Sequence, residues 1–109
     1  MKKTILIDLD GVLNTYDGTF DENFIPPIKR GAFEFIKDLS KDFSINIFTT
    51  RNLLRASKWL TDNDLGRFVD DVTNIKKPCH LIIDDRCINF DGNYNLLKQK
   101  IANFKVWYK

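Results

Sequence analysis

Two carboxylates separated by a single residue follow the first apolar run of the chain. The run Ile5-Leu6-Ile7 leads directly into Asp8, Leu9, Asp10 and Gly11. Like charges a few ångströms apart repel each other, and burial disfavours an ionised carboxylate, so such a pair needs a cation or a shared proton. A hard divalent metal ion is the simplest partner, and a carboxylate beside such an ion can attack phosphorus as a nucleophile. The motif therefore predicts metal-dependent chemistry on a phosphate group.

Later apolar runs are followed by polar residues in the same way. The pattern Ile-Phe-Thr-Thr-Arg ends at Arg51, and the pattern Ile-Ile-Asp-Asp-Arg ends at Arg86. Because ligands of open α/β sheets bind outside the carboxyl ends of the strands, polar residues at such ends can form one site. We therefore expect Thr49, Asp84 and Asp85 to meet Asp8 and Asp10 at one rim of a parallel sheet.

The elements that must position these residues alternate between strand-like and helix-like segments. Strands are predicted over residues 3–9, 43–49, 68–72, 81–83 and 104–108. Helices are predicted over residues 28–40 and 52–63, with Asn52 as N-cap, and after the turn at 91–92, with Leu97 and Ile101 on the inner face of the last helix. In the first helix, the predicted inner face includes Ala32, Phe35 and Ile36. This order predicts an α/β fold with a three-layer, doubly wound (Rossmann-like), mainly parallel sheet of about five strands.

The length and composition of the chain limit the classes of protein to which it can belong. A chain of 109 residues suits a single domain spanning 1–109, and 17 basic against 15 acidic residues argue against dedicated nucleic-acid binding. No apolar run reaches membrane-spanning length, and the first one is interrupted too early for a secretory signal. The cysteines Cys79 and Cys87 fit no zinc or redox spacing, and His80 is the only histidine. We expect a cytoplasmic protein with reduced thiols, no membrane partner, and oxygen ligands for any metal.

Read in order, the chain contains Ile-Asp-Leu-Asp-Gly, Ile-Phe-Thr-Thr-Arg, Lys-Lys-Pro and Ile-Ile-Asp-Asp-Arg. These patterns resemble the four motifs of the haloacid dehalogenase (HAD) superfamily, in the expected order and strand context. The resemblance covers residues 5–86 as motifs and nearly the whole chain as topology. An Asp at the second acidic position of the first motif points to a phosphatase. The resemblance therefore implies a Mg²⁺-dependent phosphatase that works through an aspartyl-phosphate intermediate.

The resemblance also implies a role for each acidic residue. Asp8 would be the nucleophile, and Asp10 would be the general acid and then the general base. Asp84 and Asp85 would bind Mg²⁺ together with a carboxylate oxygen of Asp8 and the backbone carbonyl of Asp10, with direct binding by Asp85 left open.

Two further motif residues would bind the phosphoryl group. Thr49 would donate a hydrogen bond to a phosphoryl oxygen, and we prefer it to Thr50, which remains a substrate-binding candidate. Lys77 would neutralise charge on the phosphate and on the nucleophile, with Lys76 as the competing lysine.

The segment after the first motif is too short for a cap domain. Residues of about 11–27 form only a flap, and residues 51–76 are filled by a helix and a strand, so a capless member with an open site is expected. Tyr16 is the flap residue that we select as a substrate contact; the other flap candidates are Asp17, Thr19, Phe20 and Asn23. Arg51 and Arg86 are interpreted as solvated or salt-bridged surface residues, and we leave both outside the core site.

The substrate class and the assembly state stay open. A nucleotide, a sugar phosphate and a macromolecular phosphate all suit an open site, and the chain could be a monomer or a small homo-oligomer. The alternative function is a receiver-like or non-catalytic module that accepts or binds a phosphoryl group without turnover.

Overall fold

The computed structural model describes all residues from Met1 to Lys109 and shows a small α/β domain. Its strands are β1 (Lys3–Asp8), β2 (Phe43–Phe48), β3 (Asp71–Thr73) and β4 (Leu81–Ile83). Its helices are α1 (Ala32–Leu39), α2 (Leu53–Asp62) and α3 (Tyr94–Ala102), and a short 3₁₀ turn at Gly66–Phe68 precedes β3.

The sheet has a point where the strand order reverses. All pairings are parallel, in the order β3-β2-β1-β4, so the chain steps outward from β1 to β3 and then returns to the other side of β1. Open α/β sheets bind ligands at such a switch point, beyond the carboxyl ends of the strands. Because Ile7 is in register with Ile83, Asp8 and Asp84 leave the sheet side by side.

The core explains the continuous apolar sequence of the central strands. Ile5 and Ile7 of β1 pack with Ile45 and Ile47 of β2, all of them 2% exposed or less. Strands that are covered on both faces have continuous apolar sequences rather than alternating apolar and polar residues. The helices add a second set of buried side chains, namely Ala32, Ile36, Ala56, Trp59 and Leu60.

The first helix is shorter than predicted. It begins at Ala32 because Gly31 has a left-handed backbone with φ of 90°, and Ile28 instead forms an isolated antiparallel bridge with Asn14. The prediction that Phe35 faces inward is wrong, since this side chain is 42% exposed. Phe33 packs against the core in its place.

The second helix begins as predicted, because the Asn52 side chain accepts a hydrogen bond from the backbone N–H of Arg55 at 3.1 Å. Beyond its end, Asp64 has a left-handed backbone, with φ of 60°. The third strand lies later than predicted, at Asp71–Thr73, because Gly66–Phe68 forms the 3₁₀ turn.

Two predictions for the last part of the chain are wrong. Residues 104–108 form no strand, so the sheet has four strands rather than five. No residue of α3 is buried, and Ile101, predicted to face inward, is 59% exposed. The segment after α3 turns back toward the end of β1, where the Trp107 indole N–H donates to the carbonyl of Gly11 at 2.6 Å. None of the three helices is long and apolar enough to cross a membrane.

Candidate active site

Three carboxylates converge at the carboxyl ends of β1 and β4. Asp8, Asp84 and Asp85 each offer one oxygen, and these oxygens all lie within 4.8 Å of one another. The parallel register of the two strands causes this convergence, since the residues after Ile7 and Ile83 emerge at the same level. We refer to these three residues as the acidic cluster.

Burial and mutual repulsion make ionisation of the acidic cluster costly. Desolvation by burial, followed by a hydrogen bond with Asp85 and the charges of its neighbours, raises the pKa of Asp8 to about 8. Burial is also the main cause that raises the pKa of Asp84. One oxygen of Asp85, Oδ2, is buried without a hydrogen-bond partner. Because all the donors are carboxylate oxygens and one of them is unsatisfied, the residues present could hold a hard divalent cation.

Gly11 allows Asp85 to reach its place in the cluster. Its backbone φ is +86°, a conformation that residues other than glycine rarely adopt. A Cβ at this position would also collide with the Asp85 carboxylate. The glycine of the first motif is therefore needed both for the turn after β1 and for the close approach of β4's polar end.

Asp10 lies beside the acidic cluster in sequence, but its carboxylate is held by other partners. Its Oδ2 accepts a hydrogen bond from Arg51 Nε at 2.7 Å, and its Oδ1 accepts one from Asn14 Nδ2 at 3.0 Å. Asn14 is fully buried and also accepts from the backbone N–H groups of Gly11 and Tyr16. These contacts fix the orientation of the Asp10 carboxylate.

Sequence reasoning missed both partners of Asp10. The sequence predicts a solvated or salt-bridged Arg51 at the surface; it does form an ion pair, but it is 4% exposed and its partner is Asp10 of the candidate site. The available signal for Asn14 was its place in the loop directly after the first motif, where Asn side chains commonly bridge backbone groups. No comparable local signal marks Arg51, because its partner lies 41 positions away in the sequence.

Arg51 of the β2–α2 connection and Arg55 of α2 also hold the flap. Arg51 Nη1 donates to the carbonyl of Asp21 at 2.9 Å, and its guanidinium lies 4.7 Å from the ring centre of Phe20. Arg55 donates to the carbonyl of Glu22 and to the side chain of Asn23, both at 2.8 Å. The flap is therefore bound to the body of the domain along its length.

Both ends of the flap are pinned together by backbone hydrogen bonds. Thr15 donates to the carbonyl of Pro27 at 3.0 Å, and Lys29 donates to that of Leu13 at 2.8 Å. Within the flap, Asp17 accepts from the backbone N–H of Thr19 at 2.9 Å, which makes a local turn.

The two threonines after β2 differ in exposure. Thr49 is 4% exposed, and its hydroxyl oxygen accepts a hydrogen bond from the backbone N–H of Arg51 at 3.1 Å. Its hydroxyl proton remains available to a ligand, because a hydroxyl both donates and accepts. Asp8 is in register with Phe48, so Thr49 lies one residue beyond that level on the neighbouring strand. Thr50 is exposed.

The structure does not bring the Lys77 ammonium to Asp8. Lys77 forms an ion pair with Asp71 of β3, and the two side chains are 41% and 45% exposed. The hydrogen bond from Lys77 is the main cause that lowers the pKa of Asp71. β3 is separated from β1 by β2, so this ion pair lies away from the acidic cluster. Lys76, the competing lysine, is exposed.

Aromatic side chains from two segments approach the acidic cluster. Tyr16 of the flap and Tyr108 meet edge to face, with ring centres 5.8 Å apart. The Tyr108 hydroxyl accepts a hydrogen bond from Arg86 at 3.4 Å. Burial, followed by the neighbouring Asp85 carboxylate, raises the pKa of the Tyr108 phenol. Arg86, also assigned to the surface from the sequence, is exposed but borders this part of the site.

Comparison with known proteins supports the fold. No family model and no curated protein matches the chain. A solved structure described as that of a conserved protein from Bacteroides thetaiotaomicron is similar, with a TM-score of 0.65 and 19% sequence identity. The match covers 98% of this chain and 95% of that one. At this identity the similarity shows that the two chains share a fold along nearly their whole length.

Proposed function

We propose that this chain is a Mg²⁺-dependent phosphatase of the HAD type, which hydrolyses phosphate monoesters through an aspartyl-phosphate on Asp8. The observation that carries the proposal is the acidic cluster at the switch point of the sheet, with the oriented carboxylate of Asp10 two residues after Asp8. A structural role for the acidic cluster would not explain why three carboxylates are held together where burial opposes their ionisation.

The acidic cluster, with the backbone carbonyl of Asp10, would hold the Mg²⁺ ion. When bound, Mg²⁺ supplies positive charge that favours the ionised form of Asp8 and offsets the charge of the phosphoryl oxygens. Without a cation, a pKa of about 8 leaves Asp8 mostly protonated at neutral pH and therefore weakly nucleophilic. This coupling makes metal dependence a necessary part of the proposal.

In the first step, a carboxylate oxygen of Asp8 attacks phosphorus while the bond from phosphorus to the leaving oxygen breaks. The leaving oxygen takes a proton from Asp10, which must enter this step as the acid. In the second step, Asp10 removes a proton from water, the water oxygen attacks the phosphorus, and inorganic phosphate leaves Asp8. Both oxygens of Asp10 accept hydrogen bonds, yet each keeps a lone pair that can carry the transferred proton.

Thr49 and Lys77 would bind the phosphoryl oxygens. The hydroxyl proton of Thr49 is free to donate, as described above. Lys77 would first have to leave Asp71, and because exposed ion pairs contribute only about 0–1 kcal/mol, this exchange costs little free energy. Lys76 lies next to it and remains the competing cation.

The alternative is a module that accepts or binds a phosphoryl group without turnover. The position of the Lys77 ammonium on Asp71, away from Asp8, is the observation that favours it. A stable adduct after treatment with acetyl phosphate, without release of inorganic phosphate beyond one equivalent, would support this alternative over the phosphatase.

Hydrolysis of p-nitrophenyl phosphate tests the proposal. We expect turnover by the wild-type protein with Mg²⁺, none after chelation, and none with Asp8→Asn. Asp42→Asn is the matched control, since it removes one exposed carboxylate just before β2, at the opposite edge of the sheet. Retention of full activity by Asp8→Asn, or an inactive wild-type protein across a panel of phosphate esters, would refute the proposal.

A further inference from the structure

A cationic cleft borders the acidic cluster. It has a volume of about 500 Å³ and is lined by Arg86, Phe104, Lys105, Val106 and Lys109. This volume falls within the range of small-molecule sites, which is about 300–1,000 Å³. None of the five lining side chains is acidic, and three of them are cations.

The three cations of the cleft have no carboxylate partner. The ion pairs of the domain involve Lys41, Arg51, Lys58 and Lys77, and none of them includes a cleft residue. Arg86 lies near the Asp85 carboxylate, but its side-chain hydrogen bond goes to the neutral hydroxyl of Tyr108. Clustered like charges repel each other, and an anion in the cleft would relieve this repulsion.

The cleft adjoins the acidic cluster at two consecutive residues. Arg86, which lines the cleft, follows Asp85 directly in the sequence and lies 3.4 Å from the Tyr108 hydroxyl. The Tyr108 ring also lies 3.0 Å from the position that a Cβ of Gly11 would occupy, a position that the Asp85 carboxylate approaches as well. The cleft and the acidic cluster are therefore neighbouring sites, with Tyr108 beside both.

The wall of the cleft formed by residues 104–109 is fixed to the body of the domain. The Trp107 indole is hydrogen-bonded to the Gly11 carbonyl at 2.6 Å, and the Lys29 ammonium lies 5.2 Å from the centre of an indole ring. The side chain of Lys109 packs over Gly18, where a Cβ would come within 2.7 Å of it. Two of the three cations, Lys105 and Lys109, thus belong to a segment that is anchored to the domain.

We propose that the cationic cleft binds a second phosphate group of the substrate, while the first phosphate is attacked by Asp8. Phe104 and Val106 would contact the carbon skeleton between the two phosphates. This inference rests on the proposed phosphatase function and narrows its substrates to small bisphosphorylated molecules.

Non-hydrolysable phosphonates separate binding from turnover. The affinity of pentane bisphosphonate and of pentane monophosphonate would be measured by calorimetry on the full chain with Mg²⁺. We expect the bisphosphonate to bind about tenfold or more tightly, because charge-assisted contacts to phosphate are strong. Lys105→Ala combined with Lys109→Ala should remove this preference.

The matched control removes the same charge elsewhere. Lys2 and Lys41 lie before β1 and β2, at the opposite edge of the sheet, and their double alanine variant should keep the preference. The Lys105/Lys109 variant should unfold at the wild-type temperature and bind pentane monophosphonate with wild-type affinity, since that ligand has no second phosphonate. Equal affinity for the two phosphonates, or a preference that survives in the Lys105/Lys109 variant, would overturn the proposal.

The two proposals fail in different ways. If the wild-type protein hydrolyses p-nitrophenyl phosphate but shows no preference that depends on the lysines, the cleft assignment fails and the phosphatase remains. If the preference for bisphosphonate depends on Lys105 and Lys109 but no ester is hydrolysed, the cleft remains an anion site and the phosphatase assignment fails.

Discussion

Replacing Asp8 by Asn should stabilise the metal-free protein at alkaline pH while it abolishes catalysis. The amide is uncharged at every pH and can still donate to Asp85, as the protonated carboxyl of Asp8 does. The substitution therefore removes the negative charge of Asp8, which burial and the neighbouring carboxylates disfavour. It preserves the hydrogen bond from residue 8 to Asp85. A residue retained for function rather than for stability should behave in this way.

The size of the effect follows from the shift in the pKa of Asp8, from 3.8 to about 8. Between these values the folded protein keeps a proton that the unfolded chain has released, so the free energy of unfolding of the wild-type protein falls as pH rises. At about 1.4 kcal/mol for each pKa unit the upper bound is near 6 kcal/mol. Because Asp8 is partly exposed, solvent screening reduces this upper bound, and we expect about 2 kcal/mol.

Thermal unfolding of both proteins from pH 4 to pH 9, in chelator, measures the effect. We expect Asp8→Asn and wild type to unfold at similar temperatures near pH 4 and to differ by about 10 °C near pH 8.5. The difference between the two curves isolates Asp8, since all other titrating groups are common to both proteins. Parallel curves would refute the reasoning that desolvation opposes the Asp8 charge.

Addition of Mg²⁺ extends the same experiment. A ligand at about 100 times its Kd stabilises the folded state by about 2.7 kcal/mol. The wild-type protein should gain this stabilisation at pH 8 and less of it at pH 5, where protons compete for Asp8. Mg²⁺ should stabilise Asp8→Asn only weakly at both pH values, and it should stabilise Asp42→Asn as much as wild type.

Three other substitutions test particular contacts. Arg51→Met leaves the partly buried carboxylate of Asp10 without its counter-charge and with Asn14 as its remaining side-chain partner, so we expect a loss of about 2 kcal/mol in denaturant unfolding together with loss of turnover. A loss of less than about 0.5 kcal/mol would show that the pair is not important for stability. Asp71→Asn frees the Lys77 ammonium and should lower the KM for p-nitrophenyl phosphate, whereas an unchanged KM would favour Lys76 as the phosphate ligand. Gly11→Ala forces a Cβ against Asp85 and should lower both the unfolding temperature and the response to Mg²⁺, and a normal response would contradict the described packing.

The sequence predicts well those features that depend on short segments. The apolar runs identify β1, β2 and β4, and the cap residue Asn52 identifies the start of α2. The convergence of Asp8 with Asp84 and Asp85 also follows from the sequence, because parallel strands bring their carboxyl ends to one edge.

Features that depend on distant partners could not be predicted in this way. The burial of Arg51 depends on a carboxylate in the turn after β1, and the ion pair of Lys77 depends on an acidic residue of β3. Residues 104–108 have the aromatic and β-branched composition of an edge strand. Their contacts with the turn after β1 override that propensity, and no local pattern announces those contacts.

Gly11 is the position at which the separate parts of the site depend on one another. Its missing side chain admits Asp85 of the acidic cluster, its backbone N–H is held by Asn14, and its carbonyl anchors Trp107. The acidic cluster, the carboxylate of Asp10 and the wall of the cationic cleft are therefore positioned by a single turn. A substitution that displaces this turn should consequently weaken cation binding and bisphosphonate binding together, whereas changes confined to either wall should affect only one of them.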